Sequence, residues 1–259
     1  MKIQYIYLGS DTTFPNKDFW NTFCYNTRFI SNWMSRKVRL KKISTDGTFN
    51  HISVYISPKE DKCKVDGKGI FLVPLHWIEE DIVQYLNMKD ENERISLYLD
   101  LLREGLKKAA QIKEIHIIEL LSMIDSFQEG GCKNEWLFKS KTIRERNIRT
   151  VFFCYFTTYA FELKLFLYDN KKNLIAEKIV FRIYPDEVFF QSFISQVTVD
   201  EDFLYIDTNF GKHLLSFRIR DLENGMIRET LLYEGIKKYA YDSELRDYRL
   251  IEWKDNIIL

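Results

Sequence analysis

The chain has 259 residues, 46% of them hydrophobic and 15% aromatic, which provides enough apolar surface for a substantial core and excludes a disordered protein. Its 38 Lys and Arg residues balance 38 Asp and Glu residues, which excludes a global charge that would draw it to nucleic acid or an anionic membrane. The four cysteines are scattered, and the start "MKIQYIYLGS" lacks the features of a signal peptide. We therefore expect reduced thiols and a cytoplasmic location.

The N-terminal part is predicted to form a strand, a helix and a β-hairpin. The segment "KIQYIYL" alternates as a strand does, and the apolar residues that follow recur at helical spacing. The segments "KVRLKKI" and "NHISVYIS" then flank the turn "STDGT", in which Asp46 and Gly47 supply tight-turn chemistry. The helical set consists of Phe19, Phe23, Ile30 and Met34.

The central part is predicted to be mainly helical. After a strand at "GIFLVPLHW" and a short helix at "IEEDIVQYLNM", apolar residues recur every three or four positions from Glu91 to Gln128. Gly105 and the β-branched run near Ile115 are candidate breaks, so this segment is one long helix or two consecutive ones. The glycines of "QEGG" are expected to end it.

The apolar run "RTVFFCYFTTYAFELKLFLYDN", Arg149 to Asn170, raises the question of a membrane span. As a helix, its core would reach about 27 Å, short of a roughly 30 Å bilayer interior, with Glu162 and Lys164 inside. Its β-branched and aromatic residues favour a strand whose odd positions from Val151 to Leu167 build the core. Since such a strand would reach roughly 60 Å, we expect a bend near Thr157 and Thr158. The turn "DNKKN" and the segment "LIAEKIVFRIY" complete an antiparallel hairpin.

The remaining sequence is predicted to be mostly β, through "QVTVD", "FLYID" and "LLSFRIR", with an ambiguous tail from Leu222 to Leu259 that includes a final strand at "YRLIEWK". The whole pattern predicts an α+β fold, with a mostly antiparallel sheet in the C-terminal half, a long central helical segment and an N-terminal helix plus hairpin. We expect one domain over residues 1–259. The alternative is two subdomains that meet near Gly130.

Sequence motifs of common catalytic sites are absent. The chain contains no GxxxxGK[ST], GxGxxG, GxSxG or HExxH motif, which lowers the support for nucleotide, acyl-transfer and metalloprotease chemistry. We expect no cofactor.

The four histidines give little support for a metal site. His116 lies three residues before Glu119, so the two could share a helical face, but no third ligand is identifiable and we favour a packed or partly exposed histidine. His213 is expected to be a sheet histidine with a hydrogen-bond partner. A nucleophilic pair of Cys132 with a histidine stays open, because such pairs assemble in space.

Two acidic segments could serve a metal-dependent enzyme. The string "YPDEVFF", with Asp186 and Glu187, is similar to the start of the PD-(D/E)xK nuclease motif, but the matching "ELK" precedes it, in reversed order. We expect a turn there. The run "VDEDF", with Asp200 and Asp202, is expected first as a hairpin loop and only second as a cation site.

Two basic clusters are the predicted partner-binding surface. If "RKVRLKK" is a strand, Lys37, Arg39 and Lys41 line one face of it. Such stripes bind nucleic-acid backbones or acidic proteins, and they also occur as solvated sheet faces, which we favour over nucleic acid because the net charge is zero. The partner-binding candidates are Arg36, Arg39, Lys41, Lys139, Lys141, Arg144 and Arg146.

A high aromatic content without a catalytic motif predicts a non-catalytic protein-binding module. Among such proteins we favour a bacterial immunity-type protein, which neutralises a toxin by direct binding. The alternative is a metal-dependent nuclease or hydrolase with a site assembled from dispersed carboxylates. The expected partner is a protein, not nucleic acid or a membrane, and the oligomeric state is open.

Overall fold

The computed structural model describes residues 1–14 and 16–233, and the chain divides into two units between Asn134 and Glu135. Helices make up 34% of the structure and strands 35%, and the C-terminal half holds a four-stranded antiparallel sheet, which confirms the predicted α+β class. The predicted strand "YRLIEWK" lies outside the described residues.

The first unit combines a small sheet with four helices. Its elements are β1 (Tyr5–Ser10), α1 (Lys17–Lys41), β2 (His51–Ser57), β3 (Lys64–Val65), β4 (Ile70–His76), α2 (Glu79–Asn87), α3 (Glu91–Ala110) and α4 (Ile117–Glu129). The order of strands in the sheet is β1-β2-β4-β3.

Three of these strands are parallel, which the sequence did not predict. Tyr5 pairs with His51 and Ile52 pairs with Phe71, so β1, β2 and β4 all end at the same edge of the sheet. Short β3 pairs antiparallel with β4. Both β2 and β4 alternate buried and partly exposed residues along most of their length, because the apolar side chains of these strands form the core.

The predicted N-terminal hairpin is wrong. Its first strand, "KVRLKKI", is instead the end of α1, which terminates at Lys42 in a left-handed conformation. Val38 lies four residues after Met34 and is fully buried, so the helical spacing of the earlier apolar residues continues to this point. The strand β2 exists, but it pairs with β1 and β4.

Helix α1 covers the free edge of β1 through a row of hydroxyl groups. Ser35 Oγ accepts from the Ile6 N–H at 3.1 Å, and Ser31 Oγ accepts from the Leu8 N–H at 3.0 Å. Thr27 donates to the Leu8 carbonyl at 2.8 Å. The spacing matches because four helical residues rise about 6 Å and two strand residues about 6.8 Å. The edge of the sheet is thereby hydrogen-bonded without another strand.

The predicted segment 91–128 consists of two consecutive helices, α3 and α4. Gly105, a candidate break, lies inside α3 and allows close packing on the sheet. A Cβ atom at this position would lie 2.3 Å from Val54 Cγ1. The glycine therefore serves helix–sheet contact rather than helix termination.

The second unit is mostly β. Its elements are β5 (Asn134–Ile143), a 3-10 helix (Arg144–Arg146), β6 (Ile148–Phe156), β7 (Phe161–Asp169), β8 (Leu174–Ile183), α5 (Glu187–Phe193), β9 (Gln196–Val199), β10 (Phe203–Asp207), β11 (His213–Arg218), α6 (Ile219–Glu223) and β12 (Glu229–Leu231). One sheet has the order β5-β6-β7-β8 and is called the meander below, and the other has the order β12-β11-β10-β9.

The apolar run 149–170 forms two strands, not one bent strand. A turn at residues 157–160 separates β6 from β7, and Thr157 Oγ1 accepts hydrogen bonds from the N–H groups of Tyr159 and Ala160. The odd positions of β7 are buried as predicted, but in β6 the even positions are buried, because the turn changes the parity. The predicted hairpin with "LIAEKIVFRIY" is confirmed as β7 and β8.

Aromatic side chains fill the core of the second unit. Phe161 stacks on Phe190 of α5 with ring centroids 3.8 Å apart, and Phe152 of the meander contacts Phe217 of the other sheet at 6.1 Å. All four residues are at least 96% buried. The high aromatic content of the chain is therefore partly a property of its core.

Candidate functional site

An apolar groove lies at the edge of the first unit where the parallel strands end. Its volume is about 390 Å³, in the range of ligand and anchor sites. Residues that follow β1, β2 and β4 line it together with one side of α2. Open α/β sheets bind ligands at this edge, because the loops after parallel strands converge there. The lining consists of Phe14, Asn16, Pro58, Trp77, Ile78, Glu79, Ile82, Val83 and Leu86.

Local hydrogen bonds fix the ends of the elements around this groove. Asn16 caps α1, since its side chain accepts from the Phe19 N–H at 3.0 Å. The Trp77 N–H donates to the Ser57 carbonyl at 2.9 Å, which ties the end of β4 to the end of β2. The cap of α1 thus holds the loop after β1, and the bond from Trp77 joins the starts of the loops after β2 and β4.

A cluster of aromatic rings underlies the groove. Phe19 contacts Trp77 at 6.1 Å and Tyr85 at 5.6 Å, and Phe23 contacts the same two rings. The Tyr85 and Tyr98 hydroxyls are hydrogen-bonded at 2.8 Å, and burial raises the pKa of Tyr98. This packed cluster forms the floor of the groove.

Helix α2 is apolar on two sides. Tyr85 is buried against the aromatic cluster, whereas Val83 is 51% exposed and Leu86 is 41% exposed. Ile78, just before the helix, is 50% exposed. A helix at the surface of a monomer normally shows polar residues on its outer side. The exposed apolar residues on the groove side of α2, Val83 and Leu86, therefore have the character of a contact surface.

The charges beside the groove are mostly negative. Helix α2 carries Glu79, Glu80 and Asp81 in its first turn and no basic residue. Asp81 Oδ2 accepts from the Ile78 N–H at 2.9 Å, while the two glutamates are exposed. Acidic residues at a helix N-terminus also favour the helix itself, since they complement the helix dipole.

Sequence reasoning missed this groove. The segment "IEEDIVQYLN" was correctly predicted as a short helix, but its apolar residues occupy more than one side of it. This excess of apolar residues on a short helix was the sequence feature that could have indicated a binding surface. The meeting of the three loops depends on parallel pairing, which the predicted hairpin excluded.

The predicted partner-binding residues of α1 are occupied by contacts within the first unit. Arg36 is hydrogen-bonded to Asn134, Arg39 donates to the Gln4 carbonyl at 3.3 Å, and Lys41 lies 3.2 Å from Glu119. The expected stripe of alternating residues on a strand is wrong, since successive helical residues turn by about 100°.

The other predicted residues lie at the surface of the second unit. Lys139 and Lys141 are exposed on β5, and Arg144 and Arg146 are exposed in the 3-10 helix. Arg146 lies 3.6 Å from Glu223 and lines a cavity of about 490 Å³. The charged residues of that cavity are three arginines and three acids, namely Arg146, Arg218, Arg220, Glu201, Asp202 and Glu223. Its charge is balanced.

The outer face of the meander also carries charged residues. Its charged residues are paired across strands: Lys164 lies 2.7 Å from Glu177, and Arg182 donates to Glu162. Burial, followed by the Glu135 carboxylate, raises the pKa of Tyr155 on this side. These pairs are the arrangement of a solvated sheet face.

The carboxylates proposed for a metal-dependent enzyme have structural partners. Asp200 accepts from the N–H groups of Asp202 and Phe203 in the turn before β10, and these bonds lower its pKa. This is the expected hairpin loop. Asp186 is buried just before α5. Over residues 1–14 and 16–233, no group of three His, Cys, Asp or Glu side chains is arranged to hold a metal ion.

The prediction for His213 is confirmed, whereas His116 is exposed and lies before a helix rather than within one. His116 precedes α4 and its Nε2 lies 3.1 Å from Ser44 Oγ, while Glu119 pairs with Lys41 instead. His213 Nδ1 lies 2.6 Å from the buried Asp207 carboxylate, as expected of a sheet histidine with a partner.

Comparison of the chain with protein-family models, with curated proteins and with solved structures finds no significant match. In the described part of the chain, no helix combines the length and the apolar character needed to cross a membrane.

Proposed function

We propose that the chain is a non-catalytic protein-binding module of the bacterial immunity type, which neutralises a toxin in the cytoplasm by direct binding. The apolar groove at the carboxyl edge of the parallel sheet carries this proposal. It is the surface that receives the toxin.

Three properties of the groove support a protein partner. Exposed Val83 and Leu86 stand beside buried Ile82 and Trp77, so apolar contact area continues from the surface into the groove. The floor is a packed aromatic cluster, which costs little conformational entropy when a partner binds. Interfaces of this kind place their strongest contacts in a central apolar pocket with a polar rim.

The test is protection of cells from any toxin that is encoded beside the gene of the chain. The wild-type chain should protect cells and co-purify with this toxin. Val83→Asp and Leu86→Asp should abolish both effects, because a charge in the centre of an apolar interface loses its hydration without gaining a partner.

The matched control is Ile118→Asp. Ile118 belongs to the same unit, is 84% exposed and lies on α4, outside the groove. This variant should protect cells as the wild type does. Protection by the groove variants, or none by the wild type, would reject the proposal. Protection that needs a divalent cation and is lost in Asp202→Asn would indicate the metal-dependent hydrolase instead.

A further inference from the structure

We infer that the segment of the partner that enters the groove is a cationic amphipathic α-helix. This inference rests on the proposed function, since it specifies what binds at the same site. Three features of the first unit support it: the shape of the groove, the state of the neighbouring sheet edges and the charge of α2.

The shape of the groove fits a helix. Helix α2 has nine residues and is therefore about 13 Å long, with Ile78, Val83 and Leu86 distributed from its start to its last turn. A partner helix lying along α2 would place two or three turns against these residues. Helix-in-groove recognition uses apolar anchors at such spacing.

An extended peptide would need a free sheet edge, and the described residues of the first unit do not offer one beside the groove. Hydroxyls of α1 occupy the outer edge of β1. On the outer edge of β4, Leu72 already pairs with β3. Further along this edge, Pro74 has no N–H group to donate, and its carbonyl accepts from Lys108 Nζ at 2.6 Å. Strand addition is therefore disfavoured relative to helix binding.

The charge of the rim selects a cationic partner. Glu79 and Glu80 are exposed beside the groove, and the loop from Pro58 to Cys63 adds equal numbers of acidic and basic residues. Asp11 follows β1 at the same edge of the sheet. Burial raises the pKa of Tyr55 in β2, and the negative charges of Asp61 and Asp11 raise it further. Lysine or arginine beside the apolar anchors would complement this rim.

The experiment uses three synthetic peptides of about 18 residues, five helical turns each. The first has leucines on one face and lysines on the flanks. The second has glutamates in place of the lysines, and the third has the composition of the first in an order that removes the apolar face. Binding to the full chain is followed through the indole N–H resonance of Trp77, assigned with Trp77→Phe.

The lysine peptide should shift the Trp77 resonance and bind on the order of 10-fold more tightly than the glutamate peptide. Its affinity should fall by about 2- to 30-fold in Glu79→Gln/Glu80→Gln, as two partly exposed ion pairs are lost. The matched control, Glu93→Gln/Glu104→Gln, neutralises two exposed glutamates of α3 and should bind the peptide as the wild type does.

Failure of this inference is distinguishable from failure of the proposed function. Equal binding of the glutamate peptide would reject the cationic partner, and equal binding of the reordered peptide would reject the helix. In both cases the groove would still be a binding surface. An unchanged Trp77 resonance with every peptide, together with full protection by Val83→Asp, would reject the groove itself.

Discussion

The parallel sheet of the first unit ends in an apolar groove with exposed glutamates, whereas the outer face of the meander pairs its charges across neighbouring strands. In the meander, a partner would have to displace or desolvate ion pairs that already satisfy one another. At the groove, a partner would cover the exposed apolar side chains of Val83 and Leu86. It would gain apolar contact area there without separating paired charges. The difference indicates that binding energy is available at the groove.

The largest expected effect is on partner binding. Val83→Asp/Leu86→Asp should weaken toxin binding by about 100-fold or more, or about 3 kcal/mol, because central apolar contacts dominate interface energies. Glu162→Gln/Arg182→Gln in the meander should change it by less than about 3-fold. Calorimetric titration of the purified chain with the toxin measures both.

Folding must be checked in these variants, and the far-UV circular dichroism of each should match that of the wild type. A stronger effect of the meander variant than of the groove variant would reverse the comparison and identify the meander as the binding surface.

The next expected effect is on stability, through the edge of β1. Ser31→Ala should lower the free energy of unfolding by about 1–3 kcal/mol, because the buried N–H of Leu8 loses its acceptor. The control is Ser140→Ala on edge strand β5, where the serine is exposed and accepts from Arg149. This change should stay within about 0.5 kcal/mol. Urea unfolding measures both. Equal effects would show that the helix hydroxyls are not needed at this edge.

Gly105→Ala should also destabilise the chain, by about 1–3 kcal/mol. Alanine is the better helix former, but its Cβ atom would overlap Val54. The second substitution Val54→Ala removes the overlapping atoms, so Gly105→Ala should cost less in that background. A thermal unfolding cycle of the four proteins measures this coupling, and simple additivity would contradict the close packing of α3 on β2.

The sequence predicted most helices and strands correctly but not their pairing in the first unit. Alternation in "KVRLKKI" suited a strand, yet buried Val38 continues the helical spacing of α1, and tertiary packing decides between the two. Once α1 is extended to Lys41, β2 has no hairpin partner before it and pairs in parallel with β1. The groove depends on that pairing and was therefore not predicted.

In the second unit, local chemistry determined more of the structure. The turn "DNKKN" and the alternation of β7 and β8 were sufficient to predict their hairpin. The turn at residues 157–160 was missed because threonine, tyrosine and alanine are not strong turn residues. The basic residues were predicted from their charge and from strand alternation, and neither shows whether a side chain already has a partner within the fold.

A smaller effect is expected in the meander. Lys164→Gln should lower the free energy of unfolding by about 0.2–1 kcal/mol, since it removes a partly exposed cross-strand pair with Glu177. The effect should diminish in high salt. Urea unfolding at two salt concentrations measures this. A salt-independent loss would indicate that packing, rather than charge, holds Lys164.

The smallest effect is a pH dependence at Asp46. Hydrogen bonds from Thr48 and then from Lys113 lower its pKa from 3.8 to about 2. Because the folded pKa is depressed, the stabilisation is complete above pH 3.8 and is lost as the pH falls towards about 2. Asp46→Asn should thus have a slightly lower Tm than the wild type at neutral pH, and the difference should disappear in acid. A constant difference across this range would contradict the assignment.

Hydrogen exchange of the chain with and without the proposed toxin partner tests the central claim most directly. If the groove receives the partner, complex formation should slow exchange in peptides that cover residues 77–87, and exchange in peptides from the meander strands β6, β7 and β8 should stay unchanged. Slower exchange in the meander, with none at residues 77–87, would contradict the account.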